Sequence, residues 1–100
     1  MKRYALGLDY GTNSCRSLIV DLSDGSELAS HVFPYPSGKQ GILLDPRDPN
    51  VARQNPQDYL DAFVAIKAAI KMARRKRPGF NPHGIIGIGV DTTGSTPLPV

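Results

Sequence analysis

The sequence predicts an α/β domain built on a mixed sheet, with elements in the order β-β-β-α-β. Three observations carry that expectation. The first third of the chain alternates short apolar runs with turn residues at Gly11-Thr12-Asn13 and Asp24-Gly25. The middle holds one long segment with apolar residues at helical spacing. Near the end, Gly84-Ile-Ile-Gly-Ile-Gly-Val90 is a continuous apolar run of strand length. One hundred residues, 40% hydrophobic and 21% charged, give an ordinary globular composition and room for one small domain.

Taken in order, Tyr4 to Leu8 reads as a buried strand ending at Asp9, and the Gly11-Thr12-Asn13 turn leads into a second strand from Ser14 to Asp21. There Arg16, Leu18 and Val20 alternate with Cys15, Ser17 and Ile19. Asp24-Gly25 turns the chain into a third strand, Glu27 to Tyr35, completing an antiparallel meander. Residues 34–56 contain five prolines and only one short apolar patch, Ile42-Leu43-Leu44, which predicts irregular structure in a long functional or mobile loop. Asn55-Pro56-Gln57-Asp58 is a helix start: Asn caps free amides, Pro suits the first helical position, and Asp58 meets the positive end of the dipole. In the single helix that follows, Tyr59, Phe63, Ile66, Ile70 and Ala73 define the buried face. Lys71, Arg74, Arg75, Lys76 and Arg77 fall in its last turns, where cations are favoured, and Pro78-Gly79 ends it. The run from Gly84 to Val90 reads as a fully buried strand ending at Asp91, followed by a polar turn, Thr92 to Thr96, and the start of a further strand at Pro97–Val100.

A strand reached through a helix lies parallel to one already laid down, by a right-handed crossover. The last complete strand is therefore expected beside and parallel to the first, with Asp9 and Asp91 at neighbouring carboxyl ends, where open α/β sheets bind ligands.

Composition excludes several functions. The formal charge of +3 comes from the one cluster at residues 71–77, without which the chain is net acidic. That cluster is short, lies at a helix end and has no interleaved aromatics, so no nucleic-acid partner is expected. With Cys15 as the one cysteine there is no disulfide framework, and a reducing, cytoplasmic setting is the expectation. Cys15 itself is expected to pack in the core, as are Tyr4, Tyr10, Tyr35 and Tyr59. His31 and His83 lack the companions of a zinc set. Asp9 interrupts the apolar stretch after Lys2-Arg3 too early for an export signal, and no run approaches bilayer-spanning length, so no membrane partner is expected.

Two strings share a design. Gly7-Leu8-Asp9-Tyr10-Gly11-Thr12-Asn13-Ser14 and Gly89-Val90-Asp91-Thr92-Thr93-Gly94-Ser95-Thr96 each run glycine, apolar residue, acid, then small hydroxyl residues with a glycine among them. Such turns expose amides and hydroxyls that can cradle phosphate or sugar oxygens, and a neighbouring carboxylate can hold Mg²⁺ through water. Taken singly, each is also ordinary turn chemistry; together on one sheet edge they meet the needs of phosphoryl transfer. Neither a G-x-x-x-x-G-K-[ST] loop nor a G-x-G-x-x-G fingerprint is present.

Asp9-Tyr-Gly11-Thr12-Asn13-Ser14-Cys-Arg16 resembles the first phosphate motif, D-x-G-[TS]-x-S-x-R, of the FGGY carbohydrate kinases of the actin-like ATPase (ribonuclease H-like) superfamily. Gly87-Ile-Gly-Val-Asp91-Thr-Thr-Gly94-Ser95-Thr96-Pro97 and the Asn55-Pro56-Gln-Asp58-Tyr59 helix start carry the likeness across the whole chain, as the incomplete amino-terminal lobe of a longer kinase. The resemblance implies ATP and Mg²⁺ as cofactors. Asp9 would hold Mg²⁺-bound water, Gly11, Thr12 and Asn13 would bind ATP phosphates, and Arg16 would either face the phosphates or serve as a surface ion-pair partner. Gly94 and Ser95 would contact the sugar, the glycine leaving room for a ketopentose, with Thr96 beside them and Asp91 orienting this turn by accepting its amides. The general base, the adenine pocket and the FGGY signature would lie in later segments, so residues 1–100 alone are expected to be inactive, with an unpaired sheet edge that invites self-association. The longer enzyme could be a homodimer. Another FGGY sugar or polyol kinase and a non-kinase actin-like ATPase remain the alternatives.

Overall fold

A computed structural model describes residues 2–93. Gly94, Ser95, Thr96 and the strand expected at Pro97–Val100 lie outside the described residues.

The meander forms as the alternation predicts: β1 (Tyr4–Tyr10), β2 (Ser14–Asp21) and β3 (Glu27–Pro34) pair antiparallel in sequence. A second hairpin, β4 (Ile42–Asp45) and β5 (Asp48–Gln54), precedes two helices, α1 (Pro56–Asp61) and α2 (Val64–Lys76). A 3₁₀ turn at Pro82–Gly84 then delivers β6 (Ile85–Thr92), which pairs parallel to β1 as the crossover argument requires. The main sheet runs β3-β2-β1-β6 and is mixed.

Alternation decides which face of the sheet is core. Tyr4, Leu6, Leu8 and Tyr10 of β1, with Cys15, Ser17, Ile19 and Asp21 of β2, are buried on the helix side. Cys15 is fully buried there, and burial, with the charge of Asp9 adding to it, pushes its thiol up from its ordinary pKa, as befits a packing residue. A register shift between Ile19 and Val20 opposite β3 lets two consecutive residues, Leu28 and Ala29, both reach the core.

Four expectations need correction. The 36–54 segment is not irregular: Pro46-Arg47 forms a two-residue turn between β4 and β5, with the Asp45 carboxylate accepting the Arg47 amide at 2.9 Å. Its prolines mislead because Pro46 occupies the turn and Pro49 sits where the register shifts, positions that demand no ladder donor. No residue of β4 or β5 is buried, so no core periodicity marks them.

The helix is not single. At Ala62-Phe63 the chain tightens to i→i+3 bonds, Phe63 to Leu60 and Ile66 to Phe63, which rotates α2 relative to α1. Phe63, expected inside, is therefore 52% exposed. The buried face is instead an alanine stripe, Ala62, Ala65, Ala69 and Ala73, flanked by Ile66 and Ile70. Small side chains let the helix backbone approach the sheet so closely that the buried Ser17 hydroxyl donates to the Ala65 carbonyl at 2.6 Å.

β6 is parallel and adjacent as expected, but not buried. It runs past Asp91 to Thr92, and Ile86, Ile88 and Val90 are more than 60% exposed, because α2 packs over β2 and β3 and leaves this edge of the sheet uncovered. β1 likewise runs beyond Leu8 to Tyr10, so Asp9 stands inside a strand.

One buried charge ties the helix end to the sheet. The Asp21 side chain is 1% exposed; one carboxylate oxygen accepts the amide and hydroxyl of Ser23, and the other accepts Arg77 Nη1 at 2.6 Å with Lys2 Nζ 3.7 Å away. Arg77, the residue that closes α2, also donates to the Tyr4 hydroxyl. The Ser23 amide first, then its hydroxyl and the guanidinium, hold the Asp21 carboxyl well below the usual carboxylate range. A depressed folded-state pKa stabilises fully above the unfolded value of about 3.9 and loses that contribution as pH falls toward the folded value. Thermal unfolding followed from about pH 7 to pH 2 is expected to show a Tm that declines below roughly pH 4. Asp21→Asn is expected to lower Tm at neutral pH and to flatten that acid decline, and an unchanged acid limb in the variant would place the acid-sensitive group elsewhere.

Candidate functional site

The parallel register of β1 and β6 sets the site. It pairs Gly7 with Gly89 and Asp9 with Asp91, and the antiparallel register of β1 and β2 pairs Asp9 with Arg16. Paired residues share a sheet face, so Arg16, Asp9 and Asp91 form one row across three strands, with neighbouring Cα atoms roughly 5 Å apart. The row lies on the face opposite the helices, because β1 buries its even-numbered residues, and all three side chains are exposed.

A groove of about 430 Å³ runs over this row, lined by Asp9, Arg16, Leu18 and Asp91 with Gly7 and Gly89. Its floor between β1 and β6 is bare backbone, since a Cβ on Gly89 would meet nothing within 4 Å. Asp91 Oδ1 accepts the amide of Thr92, the last residue of β6, at 3.0 Å. Among the described residues neither Asp9 nor Asp91 is ion-paired.

Two carboxylates side by side repel one another, and a cation between them or bound to either relieves the repulsion. Mg²⁺ needs only one or two carboxylates when waters and phosphate oxygens complete its shell, so this exposed pair beside Arg16 fits a hydrated divalent ion bridged to a phosphate. No group of three or more metal-ligating side chains occurs among the described residues, which excludes a closed, all-protein metal cage there.

Gly11, Thr12 and Asn13 connect β1 to β2 at the end of the same row. Gly11 donates its amide to the Ser14 carbonyl at 2.9 Å, and a Cβ at Gly11 would press on that carbonyl at 3.2 Å. Asn13 Nδ2 donates to the Gln40 carbonyl at 2.8 Å, so one side-chain hydrogen of this expected phosphate ligand is committed within the protein. Arg16 makes no ion pair among the described residues and lines the groove. The structure thus brings Asp9, Arg16 and Asp91 to one row with Gly11, Thr12 and Asn13 beside it.

Sequence reasoning missed the segment that supports the turn. Tyr35 stacks on Tyr59, and Tyr59 on Tyr10, with ring centroids 5.5 and 4.8 Å apart. Burial, then the neighbouring Tyr59, pushes the Tyr35 hydroxyl well above its ordinary pKa, leaving it a donor. Asp58, 2% exposed in the first turn of α1, accepts the Ser37 hydroxyl at 2.8 Å, and Asn55, whose side chain caps α1, donates to the same Ser37 oxygen. Gly41, at φ +82°, packs so tightly that a Cβ would lie 2.7 Å from the Tyr35 side chain. The polar residues of the 37–41 stretch were the available signal, but their partners lie 18 to 27 positions away in the chain.

Filling the groove floor separates binding from folding. Gly89→Val suits a strand and its Cβ meets nothing within 4 Å, so Tm is expected to stay within about 1–2 °C of the parent while binding of a Mg²⁺-complexed phosphate ligand weakens by roughly tenfold or more. Calorimetric titration of the two proteins checks this, and equal affinities would move the ligand away from the groove.

No family model matches the chain. Curated relatives named ribulokinase match it along its length. That of Geobacillus thermodenitrificans is 40% identical over 103 residues, covering 99% of this chain. That of Vibrio parahaemolyticus is 39% identical over 99 residues, and that of Mycolicibacterium smegmatis 34% identical over 103. The chain spans about a sixth of these relatives, 17% of each. From end to end, then, this chain is similar to ribulokinases, in the manner of an amino-terminal segment of one.

Proposed function

We propose that residues 1–100 form the amino-terminal part of an actin-like, ATP-dependent sugar kinase. The enzyme transfers the γ-phosphoryl group of ATP to a ketopentose hydroxyl, converting L-ribulose to L-ribulose 5-phosphate in arabinose catabolism. The observation that carries this reading is the shared row of Asp9 and Asp91 beside the Gly11–Asn13 turn. The ribulokinase names of its relatives support ribulose as the sugar.

In this reading the Gly11, Thr12 and Asn13 turn holds phosphate oxygens of ATP, and Arg16, on the flank of the row, offers them a cation. Asp9 holds the water shell of Mg²⁺, and the ion, when bound, spreads the negative charge that builds on the phosphates during transfer. Asp91 keeps the Thr92 amide fixed and so orients the following turn, in which Gly94, Ser95 and Thr96 contact the sugar. The proton of the attacking hydroxyl is taken by a base from a segment beyond residue 100, so residues 1–100 alone do not turn over. The single cysteine supports a reducing, cytoplasmic setting.

The experiment is coupled ADP release by the full-length protein with Mg-ATP, comparing L-ribulose with D-ribulose, xylulose, glycerol and no sugar. Activity led by L-ribulose, and reduced by roughly 10²–10³-fold in kcat/KM by Asp9→Asn, is the expected result. Activity led by another sugar would keep the kinase and replace the substrate. ADP release without any sugar would make the protein a non-kinase ATPase.

A further inference from the structure

Three consecutive carbonyls of the phosphate turn are tied to one side. The Gly11 oxygen accepts the Tyr35 hydroxyl at 3.0 Å, the Thr12 oxygen accepts Gln54 Nε2 at 3.1 Å, and the Asn13 oxygen accepts the Tyr35 amide at 3.1 Å. Every donor comes from the segment that leads from β3 to α1. In a trans peptide the N–H points opposite to the carbonyl before it, and no cis bond occurs among the described residues. Fastening the Gly11 and Thr12 carbonyls toward that segment therefore turns the Thr12 and Asn13 amides away from it. Those two amides donate to no acceptor among the described residues. A carbonyl rotated into their place would present a negative dipole to a phosphate.

Gln54 is itself aligned. The Tyr59 hydroxyl donates to Gln54 Oε1 at 3.1 Å, which fixes the carboxamide so that its nitrogen faces Thr12. Tyr59 is held in turn by its stack with Tyr10 and Tyr35, and its carbonyl accepts the Tyr10 hydroxyl at 3.0 Å. On the other flank Gln40 keeps φ at +52°, a left-handed conformation that a non-glycine residue retains only where its surroundings hold it, and its carbonyl takes the Asn13 side chain.

We propose that Gln54, aligned by the Tyr59 hydroxyl, is a positioning residue that holds the Gly11–Asn13 turn with its amides presented to the nucleotide phosphates. This rests on the kinase reading for the identity of the phosphate ligand. Gln54 and Tyr59 do not line the Asp9–Asp91 groove. Their effect reaches the ligand through the Thr12 carbonyl.

Two nearly isosteric variants test it in the full-length protein. Gln54→Glu replaces the donor to Thr12 with an oxygen while retaining an acceptor for Tyr59, and Tyr59→Phe removes the aligning hydroxyl while retaining the ring stack. The affinity for Mg-ATP in the absence of sugar is read by calorimetry, and KM for ATP and for sugar by ADP release. Gln54→Glu is expected to weaken Mg-ATP binding by about tenfold or more and Tyr59→Phe by about threefold. KM for ATP should rise in step, and KM for sugar and Tm should remain near the parent values. Unchanged Mg-ATP affinity in Gln54→Glu would overturn the proposal, as would equal rises in both KM values together with a lowered Tm, since either outcome gives Gln54 no specific hold on the phosphate turn. The kinase reading fails separately: if the parent protein binds Mg-ATP but releases ADP regardless of sugar, the binding comparison still decides the role of Gln54. A parent that binds no Mg-ATP removes both.

Discussion

The parallel pairing of the first strand with Ile85–Thr92 is the constraint on which the rest of the site depends. More than seventy residues separate these strands in sequence, yet their register matches two similar strings position for position, glycine beside glycine and aspartate beside aspartate. Two exposed carboxylates on neighbouring strands are unfavourable without a cation, and the open glycine floor beside them provides no packing in compensation. Exposed carboxylates over an open groove make an edge that a ligand can occupy. Arg16 offsets only one flank, so the balance of the row is left to what binds there.

The other half of the sheet, β2 and β3, is held by a second constraint, an alanine stripe that begins at the α1–α2 junction and runs along α2. Alanines at 62, 65, 69 and 73 bring the helix backbone against β2 and β3, and the Ser17 hydroxyl bridges the two layers. Asp21 and Arg77 then fasten the end of the crossover helix to the ends of β1 and β2, a step before the chain turns into β6. A buried carboxylate with three hydrogen bonds and a nearby lysine is stabilising only while its partners are present, so this clasp contributes to where the last strand enters the sheet as well as to acid sensitivity.

Between β3 and α1 runs the 35–54 segment, which adds Tyr35 to the core and otherwise restrains a turn. Tyr35, Gln40 and Gln54 each reach back to the Gly11–Asn13 connection, and Ser37 is locked to Asp58 and Asn55 at the start of α1. A short turn between two antiparallel strands has several conformations of similar energy. Restraining its carbonyls from outside selects one of them, which converts a flexible connection into a preorganised set of amides.

Local chemistry made much of this legible in the sequence. The three meander strands, the Asn55 cap, the turn at Gly25 and the parallel last strand follow from alternation, capping and the handedness of crossovers, all of which act within a few residues or through a general topological rule. The two aspartate strings likewise announced a shared edge. The tertiary structure decided the remainder. Phe63 is exposed because a tightened turn rotates the helix, which the apolar spacing alone does not encode. The β4–β5 hairpin buries nothing, so it leaves no periodic trace, and its prolines sit where no ladder bond is needed. Gln54, Tyr35 and Gln40 act on residues 22 to 42 positions away. The sequence by itself therefore determined the strands of the main sheet, the Asn55 cap and which acids meet. Only the folded chain decided which face of the helix is buried and which side chains hold the Gly11–Asn13 turn, because those depend on contacts between segments whose spacing carries no local signal.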